Sequence, residues 1–437
     1  MKRAPLWIGI VALWLALGAV GAWLVLTPAE APPTAAKPEL ALLEDAFPSE
    51  TAPLRQTVPE LPDDPPAMPP AEPTVEKHAE SIEPPELTEK PEVAEETTGF
   101  ARTDLRTEKG SAAVTDLNNF RDLEIGGTLT LGGGEVSISG NVSIDKAGKL
   151  DASRATLVFD GADQTLEGEL SAKKVILRGG TKRIRAGTWG TNGNQNAEPG
   201  KAGLYVEAGT TLIIEAGGKW TTPNPYGFQI AGNLVIDGGE FVCRFSNGNG
   251  TDRGEKSWLE GSTLTIYSGK FVGNGDADFS GATITIHDGS LEINDDIWST
   301  GDALTIHGGS MRNTTGGGMF AMTGTVQVHG GKLQVYQNSS RSLRVGKETS
   351  LYCTGGEISI NGRAATGDSG GILLQSSATL PDLVINASTR IHKDTPETAY
   401  LSVNGDMQIA KGQKFEAHGR QVISNFVQTP ESGEFVP

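Results

Sequence analysis

The stretch Leu304–Met311 reads LTIHGGSM, and variants of this eight-residue phrase return along the chain. The copies share an alternating apolar start, a glycine near the middle and an apolar last residue: Leu234–Phe241, Leu264–Phe271, Ile284–Leu291, Leu304–Met311, Val326–Leu333 and Leu351–Ile358. The second glycine of the phrase advances by 30, 20, 20, 22 and 25 residues. Weaker copies occur at 212–218 and 407–412, so the repeat extends over most of residues 123–415.

Each copy predicts two short strands joined by a sharp bend. Apolar and polar residues alternate on both sides of the glycine, which is the period of a strand with one buried face. Glycine suits the bend because it adopts positive φ without strain. One such coil cannot bury its apolar face alone, so coils of about 20 residues must stack, as in a parallel β-helix. A β-sandwich would not repeat one phrase in register, and a propeller needs a period of about 40 residues.

With these glycine-cornered repeats, the chain resembles the right-handed parallel β-helix superfamily, the pectate-lyase-like solenoids of secreted bacterial proteins. The resemblance implies the right hand of the coil, and it implies contact with polysaccharide, because many members cut or bind acidic polysaccharides. Hydrolases of the family carry Asn-Thr-Asp and Gly-His-Gly phrases, and neither occurs here. The histidine-glycine pairs at His307 and His329 belong to the repeat itself, so they do not indicate an active site.

Stacking places residues that share a position in the phrase above one another. The first inward column is predicted to contain Ile236, Ile266, Ile286, Ile306, Val328 and Cys353. The second, just past the corner, is predicted to contain Phe241, Phe271, Leu291, Met311, Leu333 and Ile358. Cys243 also reads as inward, but about five turns separate it from Cys353. A disulfide needs Cα atoms within about 7 Å, so we expect two free buried thiols.

Composition divides the chain into segments. It has 437 residues and a net charge of -18, which argues against binding nucleic acid by neutralising phosphates. Residues 27–100 hold 16 of the 24 prolines and 17 of the 54 acids, so we expect a disordered acidic linker over 27–104. The β-helix should occupy 105–430, followed by a tail at 431–437.

The N-terminal segment 1–26 is predicted to be an uncleaved membrane anchor. The stretch 5–26 has no charged residue and follows Lys2 and Arg3, and its length matches a hydrocarbon core of about 30 Å. The basic residues would keep the N-terminus cytoplasmic and the rest of the chain periplasmic or extracellular. A cleaved signal peptide, cut after Ala22 or Ala31, is the alternative.

Outward positions are where a site is expected. His287, His307 and His329 share one position in three successive turns and would form a file in which imidazoles could bind a divalent metal. Asn274, Asp276 and Asp278 alternate like the oxygen ligands of a calcium loop, although Phe279 replaces the glycine of the EF-hand pattern. The run Asn294–Asp296 predicts a turn first of all. As a catalytic carboxylate pair Asp295 and Asp296 are disfavoured, because adjacent residues of a strand point to opposite faces.

Aromatic residues on the outside of the rod are candidates for contact with sugar rings. The predicted set is Trp258, Tyr267, Trp298, Tyr336 and Tyr352. The sequence therefore predicts a membrane-tethered solenoid without catalytic residues, with no cofactor other than calcium, that binds polysaccharide or another envelope component. A polysaccharide lyase or glycoside hydrolase of the same fold is the alternative.

Overall fold

The computed structural model describes residues 102–192, 202–225, 227–245, 257–314, 318–365 and 370–437. Over these ranges the regular structure consists of β-strands, and they stack in parallel as a solenoid of about 14 turns with about 22 residues in each. The parallel β-helix predicted from the repeat is confirmed. Across the described residues no helix has the length and apolar character needed to cross a bilayer. The predicted anchor, 1–26, and linker residues 27–101 lie outside the described ranges.

The strands are short, as expected for a chain that bends three times in each turn. The first group is β1 Thr103–Thr107, β2 Ala112–Thr115, β3 Asn119–Ile125, β4 Thr128–Leu131, β5 Gly134–Ile138, β6 Val142–Ile144, β7 Lys149–Phe159, β8 Asp163–Glu167, β9 Leu170–Leu177, β10 Thr181–Thr191, β11 Leu204–Val206, β12 Thr211–Glu215 and β13 Gly218–Thr222. The second group is β14 Phe228–Ile230, β15 Asn233–Arg244, β16 Ser262–Asn274, β17 Ala277–Asp278, β18 Ala282–Ile286, β19 Ser290–Ile293, β20 Ile297–Ser299, β21 Ala303–Ile306, β22 Ser310–Asn313, β23 Phe320–Met322, β24 Thr325–Val328, β25 Lys332–Gln337 and β26 Leu343–Val345. The third group is β27 Ser350–Cys353, β28 Glu357–Gly362, β29 Leu373–Leu374, β30 Ala378–Leu380, β31 Asp382–Ile385, β32 Thr389–Arg390, β33 Leu401–Val403, β34 Met407–Ile409, β35 Lys414–Glu416, β36 Val422–Ile423 and β37 Glu434–Val436.

A complete turn runs through three faces. In the turn that begins at β18, face A is β18, face B is β19 and face C is β20. The next turn starts when β21 pairs in parallel with β18, so that Thr283 faces Ala303 twenty residues later. Corner AB, between faces A and B, contains the repeated glycine. Corner BC lies between faces B and C.

Corner AB requires glycine for two reasons. Gly309 has φ of 64°, a conformation that side chains with a Cβ rarely adopt. In addition, a Cβ placed on Gly309 would lie 2.2 Å from the backbone oxygen of Gly289 in the turn before. The glycine of the repeat therefore permits both the bend and the close approach of successive turns.

The two inward columns have the predicted register. Ile236 faces Ile266, and the column continues through Ile286, Ile306, Val328 and Cys353. Phe241, Phe271, Leu291, Met311, Leu333 and Ile358 form the second column. All of these side chains are fully buried except Cys353.

Both cysteines are free, as predicted, but only Cys243 is fully buried. Burial raises the pKa of the Cys353 thiol to about 11 and raises that of Cys243 as well. Cys353 is half-buried, which corrects the prediction of a buried thiol there. The reason is a break in face A, because β27 pairs with β24 on one side while β30 belongs to a separate sheet.

The ends of the solenoid extend beyond the predicted boundaries. Strand β1 begins at Thr103, inside the range predicted as linker, and pairs with β3. Strand β37 lies within the predicted tail and pairs with β35, so that Phe435 faces Phe415. Alternation at these ends is too short to stand out in the sequence, and the pairing with a neighbouring turn defines them as strands.

Candidate functional site

The three predicted histidines lie in one file at corner AB. The ring of His287 stacks on that of His307 with centroids 5.0 Å apart, and the ring of His307 stacks on that of His329 at 5.4 Å. Tyr267 extends the file by one turn, stacked on His287 at 4.8 Å. Interplanar angles of 13° to 17° keep the rings nearly parallel. The rings therefore form one continuous stack over four successive turns.

The predicted sugar-binding aromatics do not form one surface. Tyr267 and Tyr352 are 50% and 58% exposed, while Trp298 and Tyr336 are half-buried. Trp258 is 2% exposed, so its prediction as a surface residue was wrong. Trp258 packs in the core against Phe228, Phe271 and Phe279, because face C turns it inward where it bridges to Ile230.

The three residues of the predicted calcium loop have different surroundings in the structure. Asp278 is buried, and its carboxylate accepts hydrogen bonds from the backbone N–H and the hydroxyl of Ser280 at 2.9 and 2.6 Å. Asn274 accepts a hydrogen bond from the side chain of Asn294 in the next turn at 2.7 Å. Asp278 thus caps the bend at Ser280, and Asn274 forms a hydrogen bond between neighbouring turns. Asp276 alone of the three faces other carboxylates.

Corner BC brings together a carboxylate cluster of Asp276, Asp295 and Asp296. One carboxylate oxygen from each lies within 4.8 Å of the others, a grouping that could hold a metal ion. Asp276 and Asp296 are one turn of 20 residues apart, and this spacing was the signal available in the sequence. Asp295 and Asp296 lie on the bend between β19 and β20, which confirms the turn predicted at Asn294–Asp296, so the strand geometry that would point them to opposite faces does not apply.

Asp296 is the anchored member of the cluster. It is 3% exposed, and its Oδ1 accepts hydrogen bonds from the backbone N–H groups of Gly318 and Met319 at 2.7 and 2.9 Å. Its Oδ2 accepts a hydrogen bond from the guanidinium of Arg341. That guanidinium also lies over the ring of Trp298, 5.4 Å from the ring centroid. Asp296 thus connects three consecutive turns at this corner, its own, that of Gly318 and that of Arg341.

The other two members of the cluster resist ionisation. Burial raises the pKa of Asp276, and the nearby charges of Asp295 and Asp296 raise it further. Burial also raises the pKa of Asp295, with Asp296 adding to the effect. A positive charge placed between them would reverse this cost.

A groove runs along face B and reaches the cluster. Its first part has a volume of about 710 Å³, and residues such as Arg244, Asn274 and Asp295 line it. Its second part, of about 780 Å³, continues toward the N-terminal turns and reaches Asp151. Thr221 and Pro223 line both parts, so the two parts adjoin each other at β13. Face B strands from β7 to β19 give this groove seven successive rungs, about 29 Å at ~4.8 Å for each step.

No protein-family model, curated protein or solved structure matches this chain.

Proposed function

We propose that the solenoid is a rigid binding scaffold that holds an extended polysaccharide in the groove on face B. The observation that supports this is the groove itself, which follows the rod axis over seven rungs and is open to solvent along its length. A straight groove on a rigid sheet fits a polymer better than a compact ligand, because each turn adds one similar contact surface.

The lining of the groove has the chemistry that sugar hydroxyls need. Ser171, Thr188, Thr191, Asn192, Thr221, Asn274 and Asn294 supply hydroxyl and amide groups. The charged lining side chains are Lys149, Asp151, Glu169, Arg244 and Asp295, which nearly balance. This balance favours a neutral or weakly charged polysaccharide. A strongly anionic polymer would need a cation such as calcium at the carboxylate cluster.

We also propose that the N-terminal segment tethers the scaffold to a membrane. The apolar segment 5–26 after Lys2 and Arg3 is suited to anchor the chain in a membrane with a single pass. The linker that follows carries many prolines and acids, a composition that favours extended chain. The solenoid would then be held away from the bilayer on its periplasmic or extracellular side, where it meets an envelope component.

The experiment is a glycan array probed with the full-length protein, with and without calcium. Thr221→Trp fills the groove where its two parts meet, and Thr305→Trp places the same ring outside the groove on face A as the matched control. We expect binding to a polysaccharide that falls at least tenfold in Thr221→Trp and persists in Thr305→Trp, since loss of complementary contact is expected to cost more than about 1.4 kcal/mol. Binding unaffected by Thr221→Trp would refute the groove as the site.

A glycoside hydrolase is the second candidate, and the carboxylate cluster favours it. Retaining glycosidases hold two carboxyl groups about 5 Å apart, one protonated and one ionised. Asp276 and Asp295 have carboxylate oxygens within 4.8 Å of each other, both have raised pKa values, and Asp295 lines the groove. An assay for new reducing ends on every glycan that binds tests this activity. Product that disappears in Asp295→Asn, with binding retained, would replace the scaffold proposal with catalysis.

A further inference from the structure

The histidine file of His287, His307 and His329 lies on a different part of the rod from the groove. It occupies corner AB, whereas the groove runs along face B toward corner BC. His307 and His329 are exposed, and His287 is half-buried. The stacked rings follow the rung spacing of the solenoid, with centroids 5.0 and 5.4 Å apart.

We propose that this file binds a single transition-metal ion of the zinc type between two neighbouring imidazoles. Imidazole nitrogen is a preferred ligand of zinc, copper and nickel, whereas calcium and magnesium prefer oxygen. The backbone fixes the histidines in register, because β18, β21 and β24 pair without a shift up to the residue before each histidine. The file is therefore organised by the sheet before any ion arrives.

The spacing of the rings is within reach of a shared ion. Two nitrogens at ~2.0–2.1 Å from a tetrahedral zinc lie about 3.4 Å apart. Stacked rings with centroids at 5.0 Å must therefore approach by less than about 2 Å at their outer edges. Rotation about the side-chain bonds of exposed imidazoles achieves this without moving the backbone. Water completes the coordination, which leaves an open site.

His307 has a special place because it belongs to both neighbouring pairs. An ion can bind between His287 and His307 or between His307 and His329, but not in both places through the same nitrogen. The ring of His329 is further positioned by Thr354, whose hydroxyl lies 2.9 Å from Nδ1, and by Gln327, whose amide oxygen lies 3.4 Å from Nε2. Nδ1 is engaged by the shorter contact, so Nε2, held only by the longer contact with Gln327, is the nitrogen more readily released to a metal ion.

The test is titration of the full-length protein with zinc, followed by calorimetry. We expect one ion for each chain whose binding depends on the histidine file. Loss of an end residue in His287→Asn or His329→Asn removes one of two equivalent arrangements and lowers affinity by about twofold. Loss of the middle residue in His307→Asn removes both pairs and lowers affinity by at least about tenfold, because the second ligand no longer acts within the same molecule. His418→Asn is the matched control and should leave the affinity unchanged.

A second variant restores the pair at a new place. Thr354 occupies the next position of the file after His329, since Val328 faces Cys353. Thr354→His in the His307→Asn background therefore creates a neighbouring pair with His329, and we expect zinc affinity to return. Equal losses in all three single variants, or no recovery in the double variant, would overturn the proposal. Circular dichroism checks that each variant keeps the fold, and glycan binding through the groove should be unaffected throughout.

Discussion

Lys182 is a lysine on the inner side of face A, and its burial makes a prediction about stability and pH. The side chain is 0% exposed and stands in register with Gln164 and Leu212. Its Nζ donates hydrogen bonds to the backbone oxygens of Gly161 and Gly179, the latter at 2.5 Å. Burial lowers the pKa of Lys182 to about 8, although the charges of Asp160 and Asp163 act in the opposite direction.

The sign of the effect follows from proton binding. Between pH 8 and 10.5 the folded protein has lost the proton of Lys182 while the unfolded chain still holds it. The unfolded state then binds more protons, so the free energy of unfolding rises with pH in this window. At about 1.4 kcal/mol for each pH unit, the full gain from pKa values of about 8 and 10.5 amounts to about 3 kcal/mol. Below pH 8 the folded protein bears the whole cost of the buried charge.

The measurement compares wild type with Lys182→Met from about pH 7 to about pH 11. Methionine is an unbranched side chain one atom shorter than lysine and cannot ionise, so the lost hydrogen bonds to Gly161 and Gly179 and the lost contacts of that atom add a difference that does not depend on pH. Urea unfolding can be followed through Trp189, a buried residue of the same strand. We expect wild type to gain about 3 kcal/mol relative to the variant across this range. The exposed Lys347→Met is the control, and parallel curves for wild type and Lys182→Met would refute the reasoning.

Two further predictions concern the corners. Gly309→Ala should lower the free energy of unfolding by more than about 2 kcal/mol, because it adds positive-φ strain to a clash with the backbone of Gly289. Gly412→Ala is the control and should cost about 1 kcal/mol, because Gly412 has φ of 79° but open space around it. Equal losses for the two variants in chemical denaturation would contradict this. Asp276→Asn should raise the free energy of unfolding at neutral pH, because burial and the neighbouring carboxylates raise the pKa of Asp276 and penalise its ionisation in the folded state. That gain should vanish below about pH 4, where both states hold the proton, and a thermal melt that shows the same gain at pH 3 as at pH 7, or a gain as large in Asp237→Asn, would count against it.

The repeat made faces A and B predictable, because one phrase fixes the alternation, the corner and the register together. The file of His287, His307 and His329 followed from the same register. Cys353 differs because the pairing of β27 with its next neighbour on face A is interrupted, and the phrase itself carries no trace of that break.

The sequence did not predict which side chains of face C point inward. Its strands β17, β20 and β23 have only two or three residues, too few for alternation to show a direction. Trp258 therefore read as a surface aromatic although it is in the core. The turn at Asn294–Asp296 was predictable from its residue types, but the cluster with Asp276 depends on the direction in which that bend turns the two carboxylates, which residue types do not specify.

Because Thr283 pairs with Ala303 one turn later, the length of the solenoid is set by the number of its turns. Each turn contacts only the turns on either side of it. Removing residues 283–302 would therefore shorten the solenoid by one step of ~4.8 Å and leave equivalent positions of the remaining turns stacked on one another. Duplication of the gene segment that encodes one turn would lengthen the solenoid by one turn, and the added turn could pack on its neighbours in the same register. Removing ten residues, half a turn, would instead place a corner of one turn over a strand of the next and interrupt the inward columns at the deletion.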